Sequence, residues 1–269
     1  MNLMKRAEPP IAFERSGSIA ILRLNRPAVM NAVCAEMASA LLQAIDHVED
    51  PENGYRAVVL TGEGRGFCAG ANLTALIPDE RLGKQSLGQI LNVVFDPLIC
   101  RLRNMRLPII AAINGPVVGM GISFALLADY VVAASDAYFL LPYREIGLLP
   151  DGGLTWLLPR VIGLARARGL ALLGEKLSAK TALEWGLINH MEDSANLHGA
   201  AMRIAERIAK GPTCALALTR RAFERSLNHD FEDQLALESA LQHEAGETRD
   251  HFEGIRAMRA RRKPEFIGR

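Results

Sequence analysis

The sequence has few aromatic residues and no excess of charge of either sign. Aromatic side chains make up 6% of the 269 residues, which argues against a stacking platform for single-stranded nucleic acid. The formal net charge is +1, from 31 Lys and Arg against 30 Asp and Glu, so the chain as a whole has no polyanion-binding character. Together these two features predict that nucleic acid is not a partner.

Cysteine is scarce and dispersed. The four cysteines, Cys34, Cys68, Cys100 and Cys214, form no C-x-x-C pair, which argues against a zinc or redox motif. The first residues are basic, but no apolar stretch follows them as it would in a secretory leader. We therefore expect reduced thiols, no bound metal and a cytoplasmic location.

One long stretch lacks charge and must be tested as a membrane span. Residues 107–128 carry no charged side chain, which is enough length to cross a bilayer. Asn114, Gly115 and Pro116 lie in its middle, and residues of these types break helices and favour turns. The stretch is therefore predicted to be a buried strand, a turn and a buried helix, without a membrane span.

Hydrophobic periodicity divides the chain into an α/β part and a helical part. Ser178 and Asp230 are predicted to cap helices over 179–185 and 231–247, and Pro97 is expected to kink a helix over 87–102. The other predicted elements are a helix over 34–49, strands over 18–24, 57–60, 109–113, 131–134, 138–141 and 187–189, and a mobile loop or short helix over 75–84. The first strand, the helix and the second strand form a crossover unit. Helices alone follow residue 195, so the predicted division is 1–194 and 195–269.

A glycine loop follows the second predicted strand. Residues 64–69 read GRGFCA, which fits a loose form of the dinucleotide-binding fingerprint, although no acidic residue follows at the expected place. Two other interpretations stay open. The glycines can serve a tight turn at positive φ, or Ala69 and Gly70 can present backbone N–H groups to an anion.

A second glycine-rich segment joins the third predicted strand to a helix at residues 114–123. Its backbone N–H groups would form an anion site at the start of that helix. Gly121, Ser123 and Ala125 also resemble a degenerate nucleophile elbow, with His190 as the first candidate partner. A buried Ser123 that bonds to a backbone carbonyl is the favoured alternative.

Asp151 stands alone in an apolar, glycine-rich turn at residues 147–154. One interpretation is that Asp151 caps the helix that follows. The other is that its carboxylate faces an apolar pocket and acts as a base.

The order, spacing and residues of these segments resemble the crotonase superfamily, which is the enoyl-CoA hydratase/isomerase family. The resemblance rests on NRP at 25–27 with Asn31 and Ala32, GRGFCAGANL at 64–73, the segment 113–129 and WGLI at 185–188. It implies an α/β spiral of strand–strand–helix turns, with C-terminal helices that form homotrimers or homohexamers. It also implies an acyl-CoA thioester substrate, so that coenzyme A is part of the substrate and no separate cofactor is needed.

The resemblance assigns site residues as well. The family's oxyanion hole consists of two backbone N–H groups, which fall on Ala69 and Met120. Donors fixed there would stabilise the charge that develops on the thioester oxygen of an enolate. Six further residues are expected to contact the substrate: Gly70, Ala71, Asn72, Gly119, Ser123 and Tyr143.

Departures from the family pattern select the reaction. The two glutamates of the family's hydratases fall on Ser123 and Tyr143, and Glu145 is out of register with them. Asp151 matches the position at which single-acid isomerases and a dehalogenase branch carry an acid. One carboxylate suffices for a 1,3-proton shift, so the expected activity is enoyl-CoA double-bond isomerisation with Asp151 as base and acid.

Three alternatives to this expectation stay open. The first is hydration, which requires Glu145 to turn inward. The second is attack by Asp151 as a nucleophile, as in dehalogenation or thioester hydrolysis. The third is a non-catalytic assembly or RNA-binding role for the basic residues within 256–263, which we otherwise expect to form a solvated face or to contact coenzyme A phosphates.

Overall fold

The computed structural model describes residues 9–72 and 86–269, and two β-sheets lie at its centre. The described residues form nine strands, which are β1 (Ile11–Ser16), β2 (Ile19–Leu24), β3 (Ala57–Gly62), β4 (Ile109–Ile113), β5 (Val117–Val118), β6 (Tyr130–Ala134), β7 (Tyr138–Leu140), β8 (Leu177–Ser178) and β9 (His190–Glu192). The larger sheet has the order β1-β2-β3-β4-β6-β9, and the smaller has the order β5-β7-β8. The predicted α/β class is confirmed.

The larger sheet is parallel from β2 to β9. Every residue of β3 and β4 is buried, as expected for strands that are covered on both faces. The predicted crossover is confirmed, because β2 and β3 are parallel neighbours joined by the helix Ala35–Glu49. The carboxyl ends of these strands therefore meet at one edge of the sheet.

Successive turns of the chain contribute one strand to each sheet. The chain passes from β4 into β5 and then into the helix Gly121–Leu126, and it passes from β6 into β7. This is the strand–strand–helix spiral that the resemblance implies. Strands β1, β5 and β8 were not predicted, since β5 and β8 have only two residues each and β1 buries only Ile11.

The remaining helices have these bounds: Leu87–Ile90, Asp96–Arg103, Leu154–Ile162, Leu164–Leu173, Ala179–Glu184, Leu197–Ala209, Thr213–Ser226, Phe231–Gly246 and Arg249–Arg259. The two predicted caps are confirmed, because the Ser178 side chain accepts from the Thr181 N–H and the Asp230 side chain accepts from the Asp233 N–H. The expected loop at 75–84 lies outside the described residues. No helix of the described residues is long and apolar enough to cross a membrane.

The predicted helix over 87–102 is interrupted. Residues Leu91–Phe95 form a π-helix between two α-helical segments. Pro97 lies two residues after the π-helix, and its ring nitrogen has no N–H to donate to the preceding turn. A wider turn therefore replaces the predicted kink, and it immediately precedes Asp96.

The last predicted strand is wrong in position. Leu187 and Ile188 are buried in a turn, and the strand that pairs with β6 is His190–Glu192. The Asn189 side chain accepts from the Val131 N–H at 2.7 Å and closes the end of the sheet before β9 begins. The apolar pair at 187–188 therefore marks core packing and not a strand.

The chain after residue 195 is helical as predicted. Its first helix, Leu197–Ala209, packs across β3, β4 and β6 with buried alanines at 200, 201 and 205. By its packing, that helix belongs to the core. The division of the chain into 1–194 and 195–269 stays a prediction. The next helix is anchored by Arg220, whose guanidinium donates to both Asp129 carboxylate oxygens and to four backbone carbonyls.

Candidate functional site

The two glycine-rich loops meet at the carboxyl ends of β3 and β4. A Cβ on Gly115 would lie 2.2 Å from the Arg65 carbonyl oxygen, and a Cβ on Gly62 would lie 2.3 Å from the Gly66 carbonyl oxygen. Only glycine allows backbones to approach this closely. Cys68 and Val117 form an isolated parallel bridge that joins the loops.

Asn31 fixes the glycine loop from the other side. It is fully buried and has a φ of 58°, a left-handed conformation that asparagine tolerates better than most residues. Its side-chain amide donates to the Glu63 and Gly66 carbonyls, and its side-chain oxygen accepts from the Arg26 N–H. The motif that the resemblance singled out at residues 25–32 therefore holds the loop in shape.

The backbone N–H groups of the glycine loop correct one predicted residue. The Ala69 N–H donates to the Met30 carbonyl at 2.9 Å, so it is not available to a substrate. The Gly70 N–H contacts the Cys68 thiol, and the Asn72 N–H donates to the Val33 carbonyl. Within residues 9–72 and 86–269, the Ala71 N–H has no acceptor.

Gly70 has a φ of 82°, so the backbone is not extended between Ala69 and Ala71, and their N–H groups differ in direction. The dinucleotide interpretation is wrong, because no helix begins within residues 62–72. The interpretation that Ala69 and Gly70 expose bare N–H groups is also wrong, because both N–H groups have partners within the protein.

Met120 precedes the helix Gly121–Leu126, and no acceptor for its N–H is found in the described part of the chain. A Cβ on Gly70 would lie 3.5 Å from the Met120 nitrogen, so the segment that carries Ala71 lies against Met120. Gly121 permits the contact from the other side, since a Cβ there would lie 2.8 Å from the Cys68 carbonyl oxygen. The unpaired N–H groups of Ala71 and Met120 thus lie on neighbouring backbone segments.

Asp151 is not a helix cap. The helix Leu154–Ile162 begins after Gly153, and no side chain caps it. The half-buried carboxylate accepts a hydrogen bond from the Tyr143 hydroxyl at 2.5 Å. Burial raises the pKa of Asp151 above its ordinary value, and the negative charge of Asp96 raises it further.

The loop that carries Asp151 lies against Met120. A Cβ on Gly152 would lie 2.8 Å from the Met120 Cγ and 2.9 Å from the Ser123 Oγ. Tyr143 is 7% exposed, and its hydroxyl would lie 3.4 Å from a Cβ on Gly119. The structure therefore brings Asp151, Tyr143, Ser123, Met120, Gly119, Gly70 and Ala71 together.

Ser123 is fully buried, and its hydroxyl has no hydrogen-bond partner among residues 9–72 and 86–269. The expected bond to a backbone carbonyl is therefore wrong. The nucleophile elbow gains no support either, because His190 lies on the edge strand β9 and faces Glu192 at 3.6 Å.

Glu145 does not enter the site. Its side chain is 70% exposed and pairs with Arg144 at 3.3 Å. Asp96 is the acid that sequence reasoning missed, since its charge acts on Asp151 from the helix Asp96–Arg103. The neighbouring Pro97 is the sequence feature that could have drawn attention to Asp96, because it accompanies a π-helix and π-helical turns are frequent at functional sites.

Two other features lie apart from this cluster. A groove of about 820 Å³ is lined by residues 54–56 and 103–107, which precede β3 and β4, so it lies at the opposite edge of the sheet. The basic residues near the C-terminus are partly paired, since Arg262 donates to both oxygens of Glu253. Within the described residues, no group of three or more His, Cys, Asp or Glu could hold a metal ion.

Comparison with known proteins gives one consistent result. The family model for enoyl-CoA hydratase/isomerase matches residues 14–269. The 1,2-epoxyphenylacetyl-CoA isomerase of Escherichia coli (strain K12) is 41% identical over 248 residues, which cover 92% of this chain and 94% of that protein. A Rhodobacter capsulatus protein named "Probable enoyl-CoA hydratase" is 39% identical over 96% of this chain and 98% of its own.

Solved structures agree with the sequence matches. The crystal structure of an enoyl-CoA hydratase/isomerase from Cupriavidus metallidurans CH34 superposes with a TM-score of 0.88 at 33% identity. The match covers 96% of each chain. The relatives thus share the fold but bear the names of two different activities.

Proposed function

Because the chain belongs to the enoyl-CoA hydratase/isomerase family and is an enzyme of that family, we propose that it is an acyl-CoA double-bond isomerase with Asp151 as its base and acid. One observation carries this proposal. Asp151 is the carboxylate next to Gly152, which lies against Met120 and Ser123, and its hydrogen-bond partner is the hydroxyl of Tyr143. A site with one acid and neutral neighbours suits a proton shift better than addition of water.

The proposed reaction moves one proton. The Asp151 carboxylate takes a proton from the carbon next to the thioester carbonyl of a 3-enoyl-CoA, and the electron pair delocalises onto the thioester oxygen as a dienolate. The protonated Asp151 then returns the proton to the fourth carbon of the acyl chain, and a 2-enoyl-CoA forms. Burial favours this cycle, since it raises the pKa of Asp151 towards the range where a carboxyl both accepts and donates a proton.

The dienolate oxygen needs donors, and we propose the N–H groups of Ala71 and Met120 for that role. Their support is that both lack an acceptor in the described part of the chain and that Gly70 brings them together. Ala69 is replaced in this role because it already donates to Met30. Fixed donors of this kind contribute about 3 kcal/mol each to stabilising the transition state.

Hydration is the second candidate, and Asp96 is the observation that favours it. Water addition requires two acid–base groups, and Asp96 supplies a second carboxylate whose charge reaches Asp151. Asp96 approaches from a helix and not from the positions of the family's two glutamates, which are Ser123 and Tyr143 here. Isomerisation needs no such second acid.

The test follows double-bond migration and hydrogen exchange in one reaction. A 3-enoyl-CoA is incubated with the enzyme in D2O, and the products are separated and weighed by mass spectrometry. Wild type is expected to yield the 2-enoyl-CoA, and Asp151→Asn is expected to lose turnover while retaining binding of the thioester. Asp96→Asn serves as the matched control, because it removes the other carboxylate.

Each outcome separates the candidates. Migration that survives in Asp151→Asn would refute the proposal. Water addition to a 2-enoyl-CoA that is lost in both Asp96→Asn and Asp151→Asn would establish hydration instead. A covalent adduct on Asp151, seen as a mass increase of the intact protein, would show that Asp151 is a nucleophile.

We also propose a cytoplasmic homotrimer or homohexamer that takes coenzyme A only as part of its substrate. Support for assembly comes from large apolar side chains that the C-terminal helices leave exposed, notably Phe223 at 73%, Phe231 at 71% and Met258 at 67%. Apolar surface of this kind marks protein contacts. Sedimentation velocity should give three or six chains per particle, and a monomer at micromolar concentration would refute the assembly.

A further inference from the structure

Tyr143 lies between the two halves of the site. It belongs to the 3₁₀ turn Pro142–Ile146 that follows β7, and its ring is buried. The hydroxyl lies beside Gly119, where a side chain would crowd it at 3.4 Å, and donates to Asp151 Oδ1 at 2.5 Å. Tyr143 is therefore in contact with both the backbone loop of Met120 and the loop of Asp151.

The hydrogen bond has the length expected of a charge-assisted bond. An O–H donor and an ionised carboxylate approach to roughly 2.5–2.7 Å, which is closer than two neutral groups. Burial raises the pKa of Tyr143 far above its usual range, and the charge of Asp151 raises it further. The phenol therefore keeps its proton and is a donor whatever the state of Asp151.

Two further side chains in the described part of the chain, Asp96 and Cys68, act on this pair electrostatically. The hydrogen bonds from Tyr143 and from the Asp151 backbone N–H lower the pKa of Asp151, and the charge of Asp96 raises it. The Cys68 thiol lies near Tyr143, but burial raises the pKa of Cys68 to about 12, so the thiol is neutral. Tyr143 is thus the side chain that favours the ionised form of Asp151 against both burial and Asp96.

We propose that Tyr143 is a positioning residue: its hydroxyl holds one oxygen of Asp151, leaves the other oxygen for the substrate carbon and keeps the carboxylate ionised between turnovers. This inference rests on the proposed function, since it assigns Asp151 the role of base. It explains why a tyrosine can occupy this position in the spiral without itself reacting with the substrate. Phenylalanine would fill the same space but would leave the carboxylate free to rotate.

The test compares Tyr143→Phe with wild type by two independent measurements. The first is the pH dependence of kcat/KM for double-bond migration. The second is the titration of the Asp151 carboxyl carbon by NMR in protein labelled with ¹³C-aspartate, with Asp151→Asn to identify the resonance. Tyr138→Phe is the matched control, because Tyr138 lies on β7 and its ring contacts Lys176 and not the site.

In Tyr143→Phe we expect the Asp151 resonance to titrate at higher pH than in wild type. At neutral pH, kcat/KM should fall about tenfold, which is the effect of losing one charge-assisted hydrogen bond, and part of the loss should recover at higher pH. Asp96→Asn should move the titration to lower pH, and Tyr138→Phe should leave it unchanged. A purely structural role for Tyr143 would lower the melting temperature but would move neither pH profile.

An unchanged Asp151 titration in Tyr143→Phe would overturn the inference even if activity fell. The NMR titration needs no turnover, so it stands if the enzyme fails to isomerise a 3-enoyl-CoA. In that case the proposed function fails while the positioning role is still decided by the shift of the resonance.

Discussion

Replacing Met120 by proline offers a direct way to delete one proposed oxyanion donor. A backbone N–H cannot be removed by an ordinary side-chain substitution, but proline has none. Met120 has a φ of −57°, which lies within the range that the proline ring imposes. Its N–H has no acceptor among residues 9–72 and 86–269, so no internal hydrogen bond is lost.

The expected effect can be worked from this geometry. Losing one preorganised donor from an oxyanion hole lowers kcat by about 10²–10³-fold, which corresponds to about 3–4 kcal/mol of transition-state stabilisation. The Met120 side chain is also lost, and it is 1% exposed and packs near Gly152. Met120→Ala removes most of that side chain but keeps the N–H, so it is the matched control.

The assay measures kcat for 3-enoyl-CoA isomerisation in wild type, Met120→Ala and Met120→Pro, with thermal melts of all three. We expect Met120→Pro to fall at least about 10²-fold below Met120→Ala while the two melting temperatures stay close. Equal kcat values in two folded variants would refute the assignment of the Met120 N–H. If Met120→Pro does not fold, Met120→Ala still provides a test. It keeps the N–H, so it should bind an enolate-mimicking CoA thioester as tightly as wild type, and weak binding would count against a backbone donor.

Three further predictions test the fold and its electrostatics. Arg220→Ala should cost about 3–5 kcal/mol in the free energy of unfolding, because it removes the cationic partner of Asp129 and a donor to four backbone carbonyls. Exposed Arg221→Ala should cost less than about 0.5 kcal/mol, and equal urea midpoints for the two variants would contradict the argument. Asp151→Asn should melt at a higher temperature than wild type at neutral pH. Burial raises the pKa of Asp151 in the folded protein above its pKa in the unfolded chain, so ionising Asp151 destabilises the fold as the pH rises from the unfolded-state pKa through the folded-state pKa. The difference in melting temperature should vanish below both pKa values. A thiol reagent at neutral pH should label exposed Cys100 and spare Cys68, whose pKa burial raises to about 12; rapid modification of Cys68, read by peptide mass mapping, would contradict its burial.

Sequence reasoning located the strands that are buried on both faces. Residues 109–113 are a short run that is apolar throughout and lies between turn-forming residues, which predicts a strand covered on both faces, and β4 has those bounds. β1 escaped detection because five of its six residues are not buried, and its alternation carries no clear signal. The strand at 187–189 was misplaced because buried turns and buried strands have the same composition.

The site shows the same division between local and tertiary information. The two loops and Asp151 could be identified from their residues, because glycine, asparagine and a lone acid in an apolar turn are visible in one dimension. The choice between Ala69 and Ala71 could not be made that way. It depends on the Met30 carbonyl and the Cys68 thiol, which occupy the other N–H groups only once the chain has folded.

The close approach of backbone segments around Met120, which Gly70 and Gly121 allow, has a consequence for how the reaction of such an enzyme can change in evolution. The proposed oxyanion hole is built from main-chain N–H groups, which every residue type except proline supplies, so other substitutions nearby need only respect space and φ. The chemistry beside it depends instead on the side chains at positions 123, 143 and 151, which differ in acidity and length. Exchange of these three side chains would therefore alter which proton moves, and where, while the proposed oxyanion hole stays unchanged.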